Sequence, residues 1–204
     1  MGPEPAANNP SYLRKMKNHD MREVNFFASY LNDEQKNAVR NICNLKCSCE
    51  KCPIPDSIAL PYILHGPPGT GKTSTLIEAI RQLVETDTNK ILVVAHSNTA
   101  CDNITEKVFR HFTSEKLIRL NASYRKQIPP SITEICKAIK QIDSESLPQI
   151  FVSTIGSVKH MHFKKKFTHL FCDEASQITD PEMCIALRWR IENSMNSVFR
   201  IENC

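Results

Sequence analysis

Residues 66–73, Gly-Pro-Pro-Gly-Thr-Gly-Lys-Thr, limit what this chain can fold into more than any other stretch. The spacing Gly66-x4-Gly71-Lys72-Thr73 comes directly after the apolar run Tyr62-Ile63-Leu64. It opens a segment, Lys72–Val84, whose apolar residues recur at helical spacing. A glycine-rich turn between a strand and a helix lets successive backbone N–H groups face inward around phosphate oxygens, and the helix start adds a favourable dipole. In such a loop the lysine reaches the β- and γ-phosphates, and the threonine hydroxyl suits Mg2+. Gly66, Pro67, Pro68, Gly69, Thr70, Gly71, Lys72, Thr73 and Ser74 therefore form the expected phosphate cradle.

The rest of the chain alternates in the same way. Ile91–Ala95, Leu117–Leu120, Ile150–Ser153 and His169–Cys172 read as further strands, with His169–Cys172 as the last. Thr99–Phe112 and Ile132–Ile142 carry helical periodicity, and Asn32 reads as the N-cap of a helix that runs to Cys43. The runs Ile91-Leu-Val-Val-Ala95 and His169-Leu-Phe-Cys172 are apolar on both faces, as strands covered by helices on each side must be. The pattern is that of an α/β fold with a mostly parallel sheet.

A phosphate cradle needs an acidic partner on a neighbouring strand. Thr168-His-Leu-Phe-Cys-Asp173-Glu174 supplies an apolar strand ending in two carboxylates. Asp173 would hold Mg2+, directly or through water, and Glu174 would polarise the attacking water. Gln177 follows in Asp-Glu-Ala-Ser-Gln, and Leu31-Asn-Asp-Glu-Gln35 places another glutamine upstream. A glutamine amide donates and accepts at once, which suits the N6 and N7 edge of adenine; a solvated helix position is the other reading of Gln35.

In this order Leu31-Asn-Asp-Glu-Gln35, Gly66–Thr73, Val93-Val-Ala-His-Ser-Asn98, Phe151-Val-Ser-Thr154 and Asp173-Glu-Ala-Ser-Gln177 resemble the first motor domain of superfamily 1 helicases, and more narrowly the up-frameshift-like branch. Residues 61–80 and 167–182 most resemble the RNA-silencing helicases related to Armitage and the Moloney leukaemia virus 10 protein. The resemblance spans residues 30–187 and implies a RecA-like P-loop domain. It also implies ATP and Mg2+ as ligands, 5′-to-3′ movement on single-stranded RNA, silencing proteins as possible partners, and a cytoplasmic location that could include ribonucleoprotein granules. On matching positions it implies that Gln35 reads adenine and that Lys72, Asp173, Glu174 and Gln177 serve catalysis. Thr73 and Asp173 would ligate the metal, and Ser97, Asn98, Ser153 and Thr154 would touch the nucleic-acid backbone. Loop capping is the other reading of those four, and His96 stands where relatives usually have proline.

The resemblance also sets expectations about extent. Residues 1–30 read as a flexible or partly helical lead-in, residues 31–187 as the motor domain with a Cys-rich connector at 43–61, and residues 188–204 as a divergent tail. The strand with a Gly-Asp motif that normally follows is not visible in this tail, nor is a second RecA-like domain. Arg188, Arg190 and Arg200 read as tail residues rather than as the arginines such a domain supplies. Weak ATP binding, residual hydrolysis and no processive unwinding are therefore expected of the chain alone. A DNA helicase of the same branch and a non-catalytic nucleotide- or partner-binding form are the alternatives.

Two clusters stay open. Lys159–Lys166 holds four lysines and two histidines, and reads as a solvated loop or as an edge that tracks phosphates. Cys43, Cys47, Cys49 and Cys52 read as reduced thiols in a variable loop, or as a tight zinc knuckle. The start lacks an apolar signal region, and the longest apolar runs fall far short of the roughly 20 residues that span a membrane. No membrane association is expected. A net charge of +4 does not by itself argue for a nucleic-acid partner.

Overall fold

The computed structural model describes residues 23–44, 62–122, 125, 127–138, 148–161, 167–193 and 197–203. The lead-in up to residue 22, connector residues 45–61 and residues 162–166 of the lysine cluster lie outside them.

Among the described residues seven parallel strands form one sheet, β1 Tyr62–Gly66, β2 Ile91–Ala95, β3 Leu117–Asn121, β4 Cys136–Ala138, β5 Ile150–Thr154, β6 His169–Asp173 and β7 Ser197–Asn203. Their order across the sheet is β1-β7-β6-β2-β5-β3-β4. The helices are α1 Asp33–Cys43, α2 Lys72–Val84, α3 Asn98–Phe109, α4 Ile155–Val158 and α5 Asp180–Asn193. Side-chain alternation on the central strands explains the two layers that cover them. Ile91, Val93 and Ala95 of β2, Ile150 and Val152 of β5, and Phe171 of β6 pack with α1, α2 and α3. Leu92, Val94, Phe151, Leu170 and Cys172 face the other way, into a core with Ile155, Val158, Met183 and Ala186. Every residue of β2 is fully buried, and each Val, Leu or Ile so placed contributes roughly 1.5–3 kcal/mol. Two-sided burial is why these strands read as unbroken apolar runs rather than as alternation.

Helix α1 begins with a complete capping box. The Asn32 side chain accepts from Gln35 N at 2.8 Å, and Gln35 Oε1 accepts from Asn32 N at 2.9 Å. The segment before it is strapped over α2: Phe27 N donates to Glu78 Oε1 at 2.9 Å, and Gln82 Nε2 donates to the Asn25 carbonyl at 2.7 Å.

Two expectations are corrected. Residues 132–142 carry helical spacing, but Pro130–Ile135 form a 3-10 turn and Cys136–Ala138 pair with β3 as an edge strand. Pro129 and Pro130 set the start of the turn, and β-branched Ile132, Thr133 and Ile135 lose rotamer freedom in a continuing helix. The strand His169–Cys172 is not the last: residues after Leu187 contribute the end of α5 and the strand β7, which fills the sheet between β1 and β6. A strand therefore follows the acidic pair, without a Gly-Asp motif. Ser197-Val-Phe-Arg-Ile-Glu-Asn203 supplies the β-branched and aromatic residues that a strand needs, and flanking strands on both sides override its mixed polarity.

Among the described residues no helix is long and apolar enough to cross a membrane.

Candidate functional site

All strands are parallel, so their carboxyl ends share one rim, where the ligands of open α/β sheets bind. Gly66, Ala95, Asn121, Thr154 and Asp173 end β1, β2, β3, β5 and β6 there. The sequence-predicted residues of both kinds, nucleotide and nucleic-acid, therefore fall along a single edge.

At one end lies the turn after β1. Gly69 and Gly71 adopt φ of 84° and 79°, which residues with a Cβ rarely take. A Cβ on Gly71 would sit 2.3 Å from Gln35 Nε2, so glycine is needed there twice over. Gln35 Nε2 donates to the Thr70 carbonyl at 3.0 Å and joins α1 to the turn. Lys72 Nζ, largely buried, donates to the carbonyls of Gly66 and Pro67, both at 2.6 Å. The Thr70 hydroxyl donates to Pro67 O at 2.8 Å, and Thr75 Oγ1 donates to Gly71 O at 3.1 Å. Beside the turn a cleft of about 370 Å³ is lined by Asn32, Glu34, Gln35, Leu64, Lys72 and Thr75. That volume lies in the range of small-molecule sites. Pro68 and Gly69 are exposed in the turn; Thr73 and Ser74, half-buried, open α2.

Two positions along in the sheet, β6 ends at Asp173, with Glu174 following at φ 51°, the one non-glycine residue with positive φ among those described. Such strain costs of order 1–3 kcal/mol and collects at functional positions. Glu174 N donates to Asp173 Oδ1 at 3.1 Å. Burial, and next the negative charge of Glu174, push the Asp173 carboxyl above its ordinary value, while Lys107 and Lys72 pull it back. Lys107, on α3, carries no motif signature and was missed in the sequence. Gln177 is exposed and closes a 3-10 turn, Ala175–Gln177, with its N–H on the Glu174 carbonyl at 2.9 Å. The backbone of Asn203 in β7 pairs opposite Gly66, and that of Arg200 opposite Cys172, so β7 separates the cradle strand from the acidic strand.

The other end of the rim carries the candidate nucleic-acid residues, and they fare differently. Ser97 caps α3, its Oγ accepting from Ala100 N at 3.1 Å. Asn98 is exposed at the first position of that helix. Thr154 is half-buried and donates to Ser157 Oγ at 2.8 Å. Ser153 has no exposed surface, and its hydroxyl donates to the Thr154 carbonyl at 3.3 Å. It lies on β5, with β2 and β3 on either side.

Of the cysteine cluster only Cys43 is described, half-buried at the end of α1. Among the described residues no group of three or more His, Cys, Asp or Glu is placed to hold a metal ion.

Residues 30–150 match the family model described as AAA domain. The chain is 34% identical to the mouse (Mus musculus) RNA helicase Mov10l1 over 194 residues, which cover 91% of this chain and 16% of that protein. It is 30% identical over 215 residues to the probable RNA helicase armi of Drosophila melanogaster, covering 88% of this chain and 17% of that one. The chain thus spans about a sixth of the length of these relatives. Among solved structures, the Sulfolobus solfataricus SWI2/SNF2 ATPase core in complex with dsDNA aligns with TM-score 0.59 at 14% identity, over 91% of this chain and 34% of that one. The UvsW helicase of bacteriophage T4 aligns with TM-score 0.57 at 13% identity, over 89% and 57%. At such identity these likenesses show the shared α/β fold alone.

Proposed function

The chain belongs to the AAA domain family, as a first motor domain of the Mov10-like and Armitage helicase kind, and from that premise we propose an activity for it. It binds ATP with Mg2+ and serves as the nucleotide-holding half of an ATP-dependent RNA helicase. The helicase moves 5′-to-3′ on single-stranded RNA in silencing or turnover, and a second RecA-like domain completes the activity. The observation that supports this best is the sharing of one rim by three features: the Gly66–Thr73 turn, Gln35 fastened to it, and the Asp173–Glu174 pair.

The residues have the chemistry for each role. Among the described residues Lys72 has only backbone carbonyls as hydrogen-bond partners, and phosphate oxygens are stronger acceptors for an ammonium group. Gln35 already uses one donor and one acceptor on the protein, and an amide holds one more of each. That remaining pair matches the N6 and N7 edge of adenine. Glu174, held by its left-handed backbone at the strand end, would accept the proton of an attacking water. Gln177 would stand beside that water. Thr73 and Asp173 offer the hard oxygen donors that Mg2+ takes, and the raised Asp173 carboxyl is a group that a cation would relieve. When bound, the ion supplies neutralisation of charge on the β- and γ-phosphate oxygens. Asn98 and Thr154, further along, would grip the RNA backbone. RNA-silencing proteins would be the partners.

Steady-state phosphate release by the chain, with and without single-stranded RNA, tests the reading. Slow turnover raised by RNA and abolished by Glu174→Gln is expected. Nucleotide binding without any turnover would make the chain a non-catalytic module. Equal stimulation by single-stranded DNA would remove the preference for RNA.

A further inference from the structure

Arg119 has no exposed surface, although it sits on β3 close to the rim. Its guanidinium is used in three directions. Nε donates to Asp102 Oδ1 at 3.1 Å, Nη1 to the Leu120 carbonyl, and Nη2 to Asn98 Oδ1 at 2.9 Å. Asp102 is shared with Arg125, whose Nη1 donates to Oδ1 at 2.9 Å and whose Nη2 pairs with Oδ2. Arg125 Nη1 also donates to Asn121 Oδ1 at 2.8 Å. Two arginines sharing one aspartate sum to one positive charge, with Asp173 as a further carboxylate acting on the neighbouring Cys101. Burial holds the nearby thiols protonated, Cys101 at about 11 and Cys136 above its ordinary value, so neither offsets it.

Buried ion networks of this kind add little stability compared with apolar packing; what they supply is fixed geometry. Here the exposed group they fix is Asn98. A guanidinium has donors and no acceptor, so the amide atom facing it must be the oxygen. What the exposed Asn98 side chain then presents is its Nδ2 hydrogens, at the first turn of α3, where backbone N–H groups have no intrahelical partner. A donor-only contact above a surplus positive charge matches an anionic acceptor.

We propose that Arg119 is a positioning residue: acting through Asn98, it makes the rim between β2 and β3 a donor-only contact for a phosphate oxygen of a single nucleic-acid strand. This rests on the nucleic-acid reading above. It adds that this contact takes phosphate and does not distinguish RNA from DNA, since both strands carry the same phosphate.

The test titrates the full chain with a fluorescent oligouridylate and with an oligodeoxythymidylate. Asn98→Asp places an acceptor where the donors were, and should weaken binding of both by roughly tenfold or more, beyond the loss in Asn98→Ala. Arg119→Lys keeps the charge but lacks the fork. It should weaken binding when Asn98 is present and add no further loss in the Asn98→Ala background, a non-additivity that general loosening of the fold would not produce. Asn98 is exposed, so its variants stay informative if Arg119→Lys melts. Wild-type binding that Asn98→Asp leaves unchanged overturns the assignment alone. So does loss for the uridylate only, or an Arg119→Lys loss that persists without Asn98. A wild-type chain that binds neither strand overturns the nucleic-acid reading, and the assignment with it.

Discussion

The two ends of the sheet's carboxyl rim are built by opposite means. At the β1 end, polar contacts are made mostly by backbone carbonyls, and the chain is short-circuited on itself. Lys72 meets carbonyls five and six residues away, and Thr70 one three residues away. At the β2–β3 end, side chains hold side chains across 17 to 23 residues of sequence, and the central group, Arg119, is sealed from solvent. A site that must wrap phosphates needs bare backbone and positive φ. A site that must offer one donor in one direction needs a clamp behind it. The difference should show as two separable sensitivities, one in ligand affinity and one in stability.

The largest effect should come from the clamp. Asp102→Ala leaves Arg119, which has no exposed surface, without its counter-charge, and breaking a buried ion pair costs about 3–5 kcal/mol. For a domain of this size that lowers the melting temperature by roughly 10 °C in a thermal unfolding scan. A shift near zero would show that the buried network is not a rigid element. Gly71→Ala should act at the other end and act differently. A left-handed backbone costs a residue with a Cβ about 1–2 kcal/mol, and the new methyl would displace Gln35 from the turn. Affinity for a fluorescent ATP analogue should fall about tenfold or more, with a melting change smaller than that of Asp102→Ala. Gly156→Ala, where a Cβ meets nothing within 4 Å, should leave both readings unchanged. The smallest effect is one of protection. Cys101 beneath the clamp end is fully buried with its thiol pushed up to about 11, whereas Cys184 is exposed. A maleimide should label Cys184 promptly and Cys101 only when the fold opens. Equal rates would mean that the clamp end breathes.

The same contrast accounts for what could be read in the sequence. The phosphate turn was legible because its geometry depends on residues adjacent in the chain. Glycines at 66, 69 and 71 and a lysine at 72 are enough to name it. Helix α2 and strand β2 were placed to the residue, because two-sided burial and a helix start leave local marks. The clamp was invisible. Asp102 and Arg125 look like solvated charges until the fold brings them to Arg119, and an arginine within Leu117-Ile-Arg-Leu-Asn121 looks like an interruption of a strand. Ser153 fitted a backbone-contact pattern by type, yet its place on a covered strand buries it. Strand β7 escaped notice because its mixed polarity gives no period, and only its neighbours β1 and β6 make it a strand.

On the function proposed, one rim holds two sites, a nucleotide site at the β1–β6 end and a single-strand site at the β2–β3 end. A crossed binding titration tests it most directly, measuring the ATP analogue with Mg2+ and single-stranded RNA against wild type, Lys72→Ala and Asn98→Asp. The predicted result is a crossover: Lys72→Ala loses the nucleotide and keeps RNA, while Asn98→Asp keeps the nucleotide and loses RNA. Nucleotide affinity unchanged in Lys72→Ala, or both ligands lost together in either variant, would contradict it.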